Sequence, residues 1–200
     1  ILFGVDRGGS NFWGEPTTFL GWYASEEEIS KEINSPETLI YVHQHNAMNC
    51  VYIGDIYRRN RNFNKAQEYY QDALNYTKSN SISELFIGES YHLEMYYCIG
   101  FIYNNYGMSL LEQNTSIDCL HEGFEYLEKS IKIYMDLKLY KSISLEMSNL
   151  SLYYEKYAIQ IKGDSTKIIE FERNLHYAKA YLECSLLILN KYLNYISSLE

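Results

Sequence analysis

Asn49 to Thr77 reads NCVYIGDIYRRNRNFNKAQEYYQDALNYT, and the reading of this stretch decides the fold. Apolar and small residues recur at threes and fours on both sides of Asn60-Arg61-Asn62. That spacing predicts two helices joined by a tight turn. The first helix carries Ile53, Gly54 and Tyr57, and the second carries Ala66, Tyr70 and Ala73. Small residues allow two helix backbones to approach closely, while large ones fill the space beside the contact. Counted from Gly54, the offsets are 3 to Tyr57, 12 to Ala66, 16 to Tyr70 and 19 to Ala73.

Outward from this pair the pattern returns twice. Ser35-Pro36-Glu37 supplies a cap, a first-turn proline and a charge suited to the positive helix end. It opens a helix to about residue 59, with Ile40, His43, Ala47, Cys50, Val51, Gly54 and Tyr57 along one side. The partner helix spans residues 63–78, and Ser79-Asn80-Ser81 breaks it. A long helix over residues 82–112 repeats the motif, with Ile99-Gly100 in the place of Ile53-Gly54 and Tyr103 in that of Tyr57. Residues 113–116 form a loop. The helix over residues 117–137 then puts Gly123, Leu127 and Ser130 where Ala66, Tyr70 and Ala73 stood. A third round starts near Tyr140, with Leu150-Ser151 and Tyr154 at the Ile-Gly and Tyr places. The chain turns over residues 162–165, and Ala178, Leu182 and Ser185 complete the set in a helix ending near Ser197.

The order small, aromatic, Ala, aromatic, Ala at these offsets closely resembles a tetratricopeptide repeat (TPR), a unit of about 34 residues. The resemblance covers residues 36–197. The distance from Gly54 to Gly100 is 46 residues and from Gly100 to Ser151 is 51, both longer than the family's unit. The expected fold is therefore all-α, a right-handed TPR-like superhelix of three antiparallel helix pairs with long helices. An irregular N-terminal segment, residues 1–24, precedes the helical domain of residues 25–200.

The resemblance implies a groove lined by the first helix of each pair, with ligand-facing residues around the small residue and one turn beyond it. Carried over, this gives Val51, Asp55, Arg58 and Arg59 in the first pair and Tyr97, Phe101, Asn104 and Asn105 in the second. The third pair contributes Ser148, Leu152, Glu155 and Lys156. Asparagine amides suit an extended peptide, since each can donate and accept, and Arg pairs with carboxylates. The implied partner is a protein or peptide segment with an acidic side chain or a free C-terminus. The Lys and Asn clamp of chaperone-binding relatives is missing, because Val51, Asp55 and Cys98 stand at its places. Long helices and Asn104-Asn105 are also similar to TPR-like bacterial regulators that sense signalling peptides, and such a sensor domain is the runner-up.

The N-terminal residues differ. Residues 1–24 have no helical period, and Ser25 with Glu28 forms a capping box for a short helix to about Asn34. Within them FGVDRGGSN resembles the first phosphate loop of sugar kinases and related actin-fold ATPases. This loop supplies the rival from another class, a fragment of a nucleotide-binding enzyme, although no alternation of strands and helices follows it.

Composition limits the remaining choices. The chain has 200 residues, a formal net charge of −9 and 22 tyrosines. An acidic excess disfavours a broad phosphate-binding face, so no direct nucleic-acid partner is expected. No apolar run approaches the roughly 20 residues of a membrane span. Cys50, Cys98, Cys119 and Cys184 form no CxxC pair and sit in apolar helical patterns, as expected of buried thiols in a cytoplasmic protein. His43 and His45 are two apart and diverge on a helix. His92, His121 and His176 lie on separate helices, and the charges of Glu26-Glu27-Glu28 suit a helix's first turn. No catalytic residue, metal site or cofactor is assigned.

Overall fold

The computed structural model describes residues 36–78 and 89–198. The chain divides into two compact units, Ile1–His43 and Gln44–Glu200. The segment of residues 1–24, the capping box, the phosphate-loop resemblance and the break at residues 79–81 lie outside the described residues. Of the first unit, only the opening turns of one helix are described.

Six α-helices make up the described residues: α1 (Pro36–Arg59), α2 (Phe63–Thr77), α3 (Glu89–Gln113), α4 (Ile117–Asp136), α5 (Tyr140–Ile161) and α6 (Ile168–Ser197). A 3₁₀ turn, Ser165–Lys167, leads into α6. From α2 onward each helix packs on the next, and α3 also touches α5. The expected helix ends agree to within a residue, except that the described part of α3 begins at Glu89.

Local chemistry explains the joints. Asn62 caps α2 by accepting from the Lys65 amide, and Ser116 caps α4 by accepting from the Cys119 amide at 3.1 Å. Asp164 accepts from the Thr166 amide at 2.9 Å and opens the 3₁₀ turn. Arg61 and Lys138 adopt left-handed backbone, with φ of 58° and 55°. At each, the next amide reaches back over five residues, Asn62 to the Tyr57 carbonyl and Leu139 to the Tyr134 carbonyl, both at 2.9 Å. This is the Schellman closure of a helix end.

The seams between helices carry the small residues. Ala66, Tyr70 and Ala73 are fully buried, as the α1–α2 pattern predicted. A Cβ on Gly54 would stand 2.7 Å from the Tyr70 ring. Gly100, which repeats Gly54 in the sequence, faces Ile133 and Tyr134 instead of Leu127. The closest crossing of α3 and α4 lies two turns further on, where a Cβ on Gly107 would come within 2.8 Å of the Gly123 carbonyl oxygen. Residues 113–116 and the longer helices shift the register, so the second pair crosses at Gly107. In the third pair Ala178 and Ser185 are buried, but Leu182 is exposed, so it does not fill the seam place assigned to it. The larger core cluster joins α3, α4 and α5 around Leu111, Leu127, Ile131, Tyr134, Leu150 and Tyr153.

Candidate functional site

The residues assigned to a groove fall into three groups. The first is an ion-pair network at the end of α1. Asp55, Arg58 and Arg59 stand one turn apart on α1, the spacing at which opposite charges meet. Arg58 donates to Asp55 through Nε at 3.0 Å and reaches Glu112 on α3 through Nη1 at 2.6 Å. Arg59 pairs with the other Asp55 oxygen at 2.9 Å, yet its side chain stays 77% exposed. Arg58 was expected to lie where packing does not require it. It instead ties the end of α1 to the end of α3, with its carboxylate partners supplied by the chain itself. Arg59 remains open to solvent.

The second group is internal. Asn104 and Asn105 were expected to be exposed polar contacts, and both are buried. The cause is the position of α3, which packs against α2, α4 and α5 and so hides more than one of its faces. Asn105 continues the buried stripe of Cys98, Ile102 and Ser109, and its amide donates to the Phe101 carbonyl at 2.9 Å. Asn104 donates through Nδ2 to Glu146 Oε1 on α5. Ser130 Oγ on α4 lies 2.9 Å from the same oxygen and 2.9 Å from the Gly100 carbonyl oxygen. Glu146 has no exposed surface. Burial pushes its carboxyl up to about 7, against the opposing hydrogen bonds of Asn104, Ser130 and Asn149. Val51 is buried too, so it presents nothing to a ligand.

The third group is open. Tyr97 keeps 40% of its surface and Leu93, one turn before it, keeps 56%. Phe101, one turn after, is half-buried and stacks on Tyr97 with ring centroids 6.4 Å apart. Tyr97 also leans on Tyr134 of α4 at 5.9 Å, which limits its rotamers. On α5, Glu155 is exposed and Leu152 and Lys156 are half-buried. Leu145, which the sequence reading did not single out, is 58% exposed. Its signal was present in the sequence: Leu145, Ser148 and Leu152 recur at threes and fours, as do Leu93, Tyr97 and Phe101.

Acid–base groups are few in this part of the molecule. His121 accepts from or donates to the Tyr153 hydroxyl at 2.8 Å, and burial pushes Tyr153 up to about 12, which keeps that phenol neutral. Among the described residues, no group of three His, Cys, Asp or Glu side chains could hold a metal ion. None of the described helices is long and apolar enough to cross a membrane. All four cysteines are free. Cys98 is buried and its thiol is pushed up to about 11 by burial, whereas Cys50 and Cys119 are half-buried and Cys184 is exposed, against the expectation that every thiol is buried. Cys184 lies on the outer side of α6, where apolar neighbours such as Leu186 and Leu187 are themselves exposed.

Compared with known proteins, the chain matches no family model, no curated protein and no solved structure.

Proposed function

We propose that this chain is a TPR-like module, a right-handed superhelix of three helix pairs, which binds a protein or peptide segment and carries out no catalysis. The repeat arrangement is supported by the first seam, Gly54 against Tyr70 with Ala66 and Ala73 buried, and by Gly123, which stands in the place of Ala66 and meets α3 at Gly107. The observation that carries the function is the stripe of Leu93, Tyr97 and Phe101 on α3. Leu93 and Tyr97 are exposed and Phe101 is half-buried at every fourth residue along one helix face, and the two rings are already stacked. Preorganised aromatic anchors of this kind dominate protein interfaces because little side-chain entropy is lost when they are covered. Arg59 is an exposed cation on a first helix and suits an acidic partner group. The polar contacts once assigned to Asn104 and Asn105 have no part in this reading.

The test starts from peptides selected from a random display library against the folded chain, followed by calorimetry with the wild type and Tyr97→Ala. Loss of the ring should weaken binding tenfold or more, equivalent to about 1.4 kcal/mol, with the thermal melt little changed because the residue is open. Equal affinity for both forms, or no enrichment from the library, would exclude the stripe as the binding face.

A further inference from the structure

Glu146 is a carboxyl without surface, placed where α3, α4 and α5 meet. Proton positions there distinguish two states. Asn104 Nδ2 donates to Oε1, which occupies one lone pair of that oxygen. The Ser130 hydroxyl has a single hydrogen and two acceptors, the Gly100 carbonyl and Glu146 Oε1, each at 2.9 Å. If that hydrogen goes to the carbonyl, the contact with Oε1 is a hydrogen bond only when the carboxyl supplies the proton. Oε2 is buried and has no hydrogen-bond partner, so a charge shared onto it would be unmet.

Among the described residues, no cation pairs with this carboxyl. From α4 the facing groups are Ser130 and the Tyr134 phenol, itself held neutral by burial beside Glu146. From α3 they are Asn104 and the Gly100 carbonyl, with Tyr97 and Cys98 behind Tyr134. On α5 itself the nearby Asn149 amide favours the charged form, and it is neutral. From α6, Ser185 meets Ser144, two residues before Glu146, and neither is charged. A neutral carboxyl leaves Oε2 as a single unmet neutral atom, whereas a carboxylate leaves a buried charge with amide and hydroxyl donors only.

We propose that the Asn104–Ser130–Glu146 cluster is a protonation-controlled latch: neutral Glu146 clasps α3, α4 and α5 together, and loss of its proton loosens the seam between α3 and α5. The latch does not depend on the proposed partner. Its pH range follows from burial, which raises the Glu146 carboxyl from 4.5 to about 7. A folded-state value above the unfolded one gives stability that is fully present below 4.5 and is lost as pH rises through about 7. A separation of this size changes the folding equilibrium on the order of a hundredfold across the window.

The experiment is a carbon-13 NMR titration of the Glu side-chain carboxyls, with Glu146 assigned through Glu146→Gln, beside amide exchange of α3 and α5 at pH 6 and pH 8. Wild type should show one carboxyl titrating near neutrality, and exchange protection along both helices, corrected for the intrinsic pH effect, should fall at least tenfold above it. Glu146→Gln keeps the shape, its carbonyl oxygen can accept from Asn104 and Ser130 as Oε1 does, and it cannot titrate, so its protection should not change between the two pH values. The difference between the two proteins also removes whatever the histidines contribute. A Glu146 carboxyl that titrates in the ordinary carboxylate range overturns the latch, and so does wild-type protection equal at both pH values. A loss that persists in Glu146→Gln does the same. Should the variant not fold, the wild-type carboxyl, followed through the Asn104 side-chain amide resonances, and the wild-type exchange decide the question.

Discussion

Between α1 and α2, Gly54 sits against the Tyr70 ring with Ala66 and Ala73 alongside, and the contact is filled by an aromatic body. Between α3, α4 and α5, glycine meets glycine at the closest crossing, and one to two turns away the seam is filled by Asn104, Ser130 and Glu146. The sequence gives both seams the same kind of small residue. The first has a large side chain opposite its glycine, so packing alone closes it. The second brings two backbones together at Gly107 and Gly123 and leaves space toward α5 that hydrogen-bonding groups occupy. A seam filled by a ring tolerates pH and small polar changes. A seam filled by a buried carboxyl depends on every donor around it.

The largest expected effect breaks the second seam at its crossing. Gly107→Ala puts a methyl within 2.8 Å of a backbone oxygen that cannot rotate away. The cost should be about 3 kcal/mol, after the small gain from a better helix former. Gly163→Ala is the control, since a Cβ there meets nothing within 4 Å, and it should be neutral or slightly stabilising. Urea unfolding of both variants gives the comparison, and equal stabilities would mean that α3 and α4 do not cross at Gly107.

A smaller effect is expected at Ser130. Ser130→Ala removes the hydroxyl that links Gly100 to Glu146 and leaves the carboxyl with one fewer partner. It should cost roughly 1–3 kcal/mol by the usual penalty for a buried group left unmet. The same chemical deletion in the first seam should behave oppositely. The Tyr70 hydroxyl is buried without a hydrogen-bond partner, and burial pushes it up to about 12. Tyr70→Phe keeps the ring against Gly54 and discards an unmet group, so stability should hold or rise by about 0.5 kcal/mol. A Tyr70→Phe loss as large as that of Ser130→Ala would erase the distinction between the two seams.

Much of the first pair was legible because its information is local. The turn at residues 60–62 lies where the pattern breaks, and there Asn62 caps α2. Ala66 and Ala73 were readable as seam residues because nothing larger fits between a helix and its immediate neighbour. Asn104 and Asn105 were misread for the opposite reason. A polar residue one turn past a glycine is exposed when a helix has one covered face, and α3 has three neighbours. Glu146 drew no notice in the sequence, since a single glutamate in a helix is ordinarily solvated. Only the distant Ser130 and Asn104 make it a core residue.

The sequence by itself determined the helical character of the described residues, the ends of those helices to within a residue over most of their length, and the small residues of the first seam. Those features depend on periods and caps that each segment carries alone. The tertiary structure decided where α3 crosses α4, which arginine is committed and which is open, and which carboxyl is buried. These depend on contacts between residues 16 to 54 positions apart, such as Gly107 with Gly123 and Arg58 with Glu112. No local period encodes such pairs. They are set when longer helices and an inserted loop shift one helix along another, and a shift of two turns was enough to move the second crossing from Gly100 to Gly107.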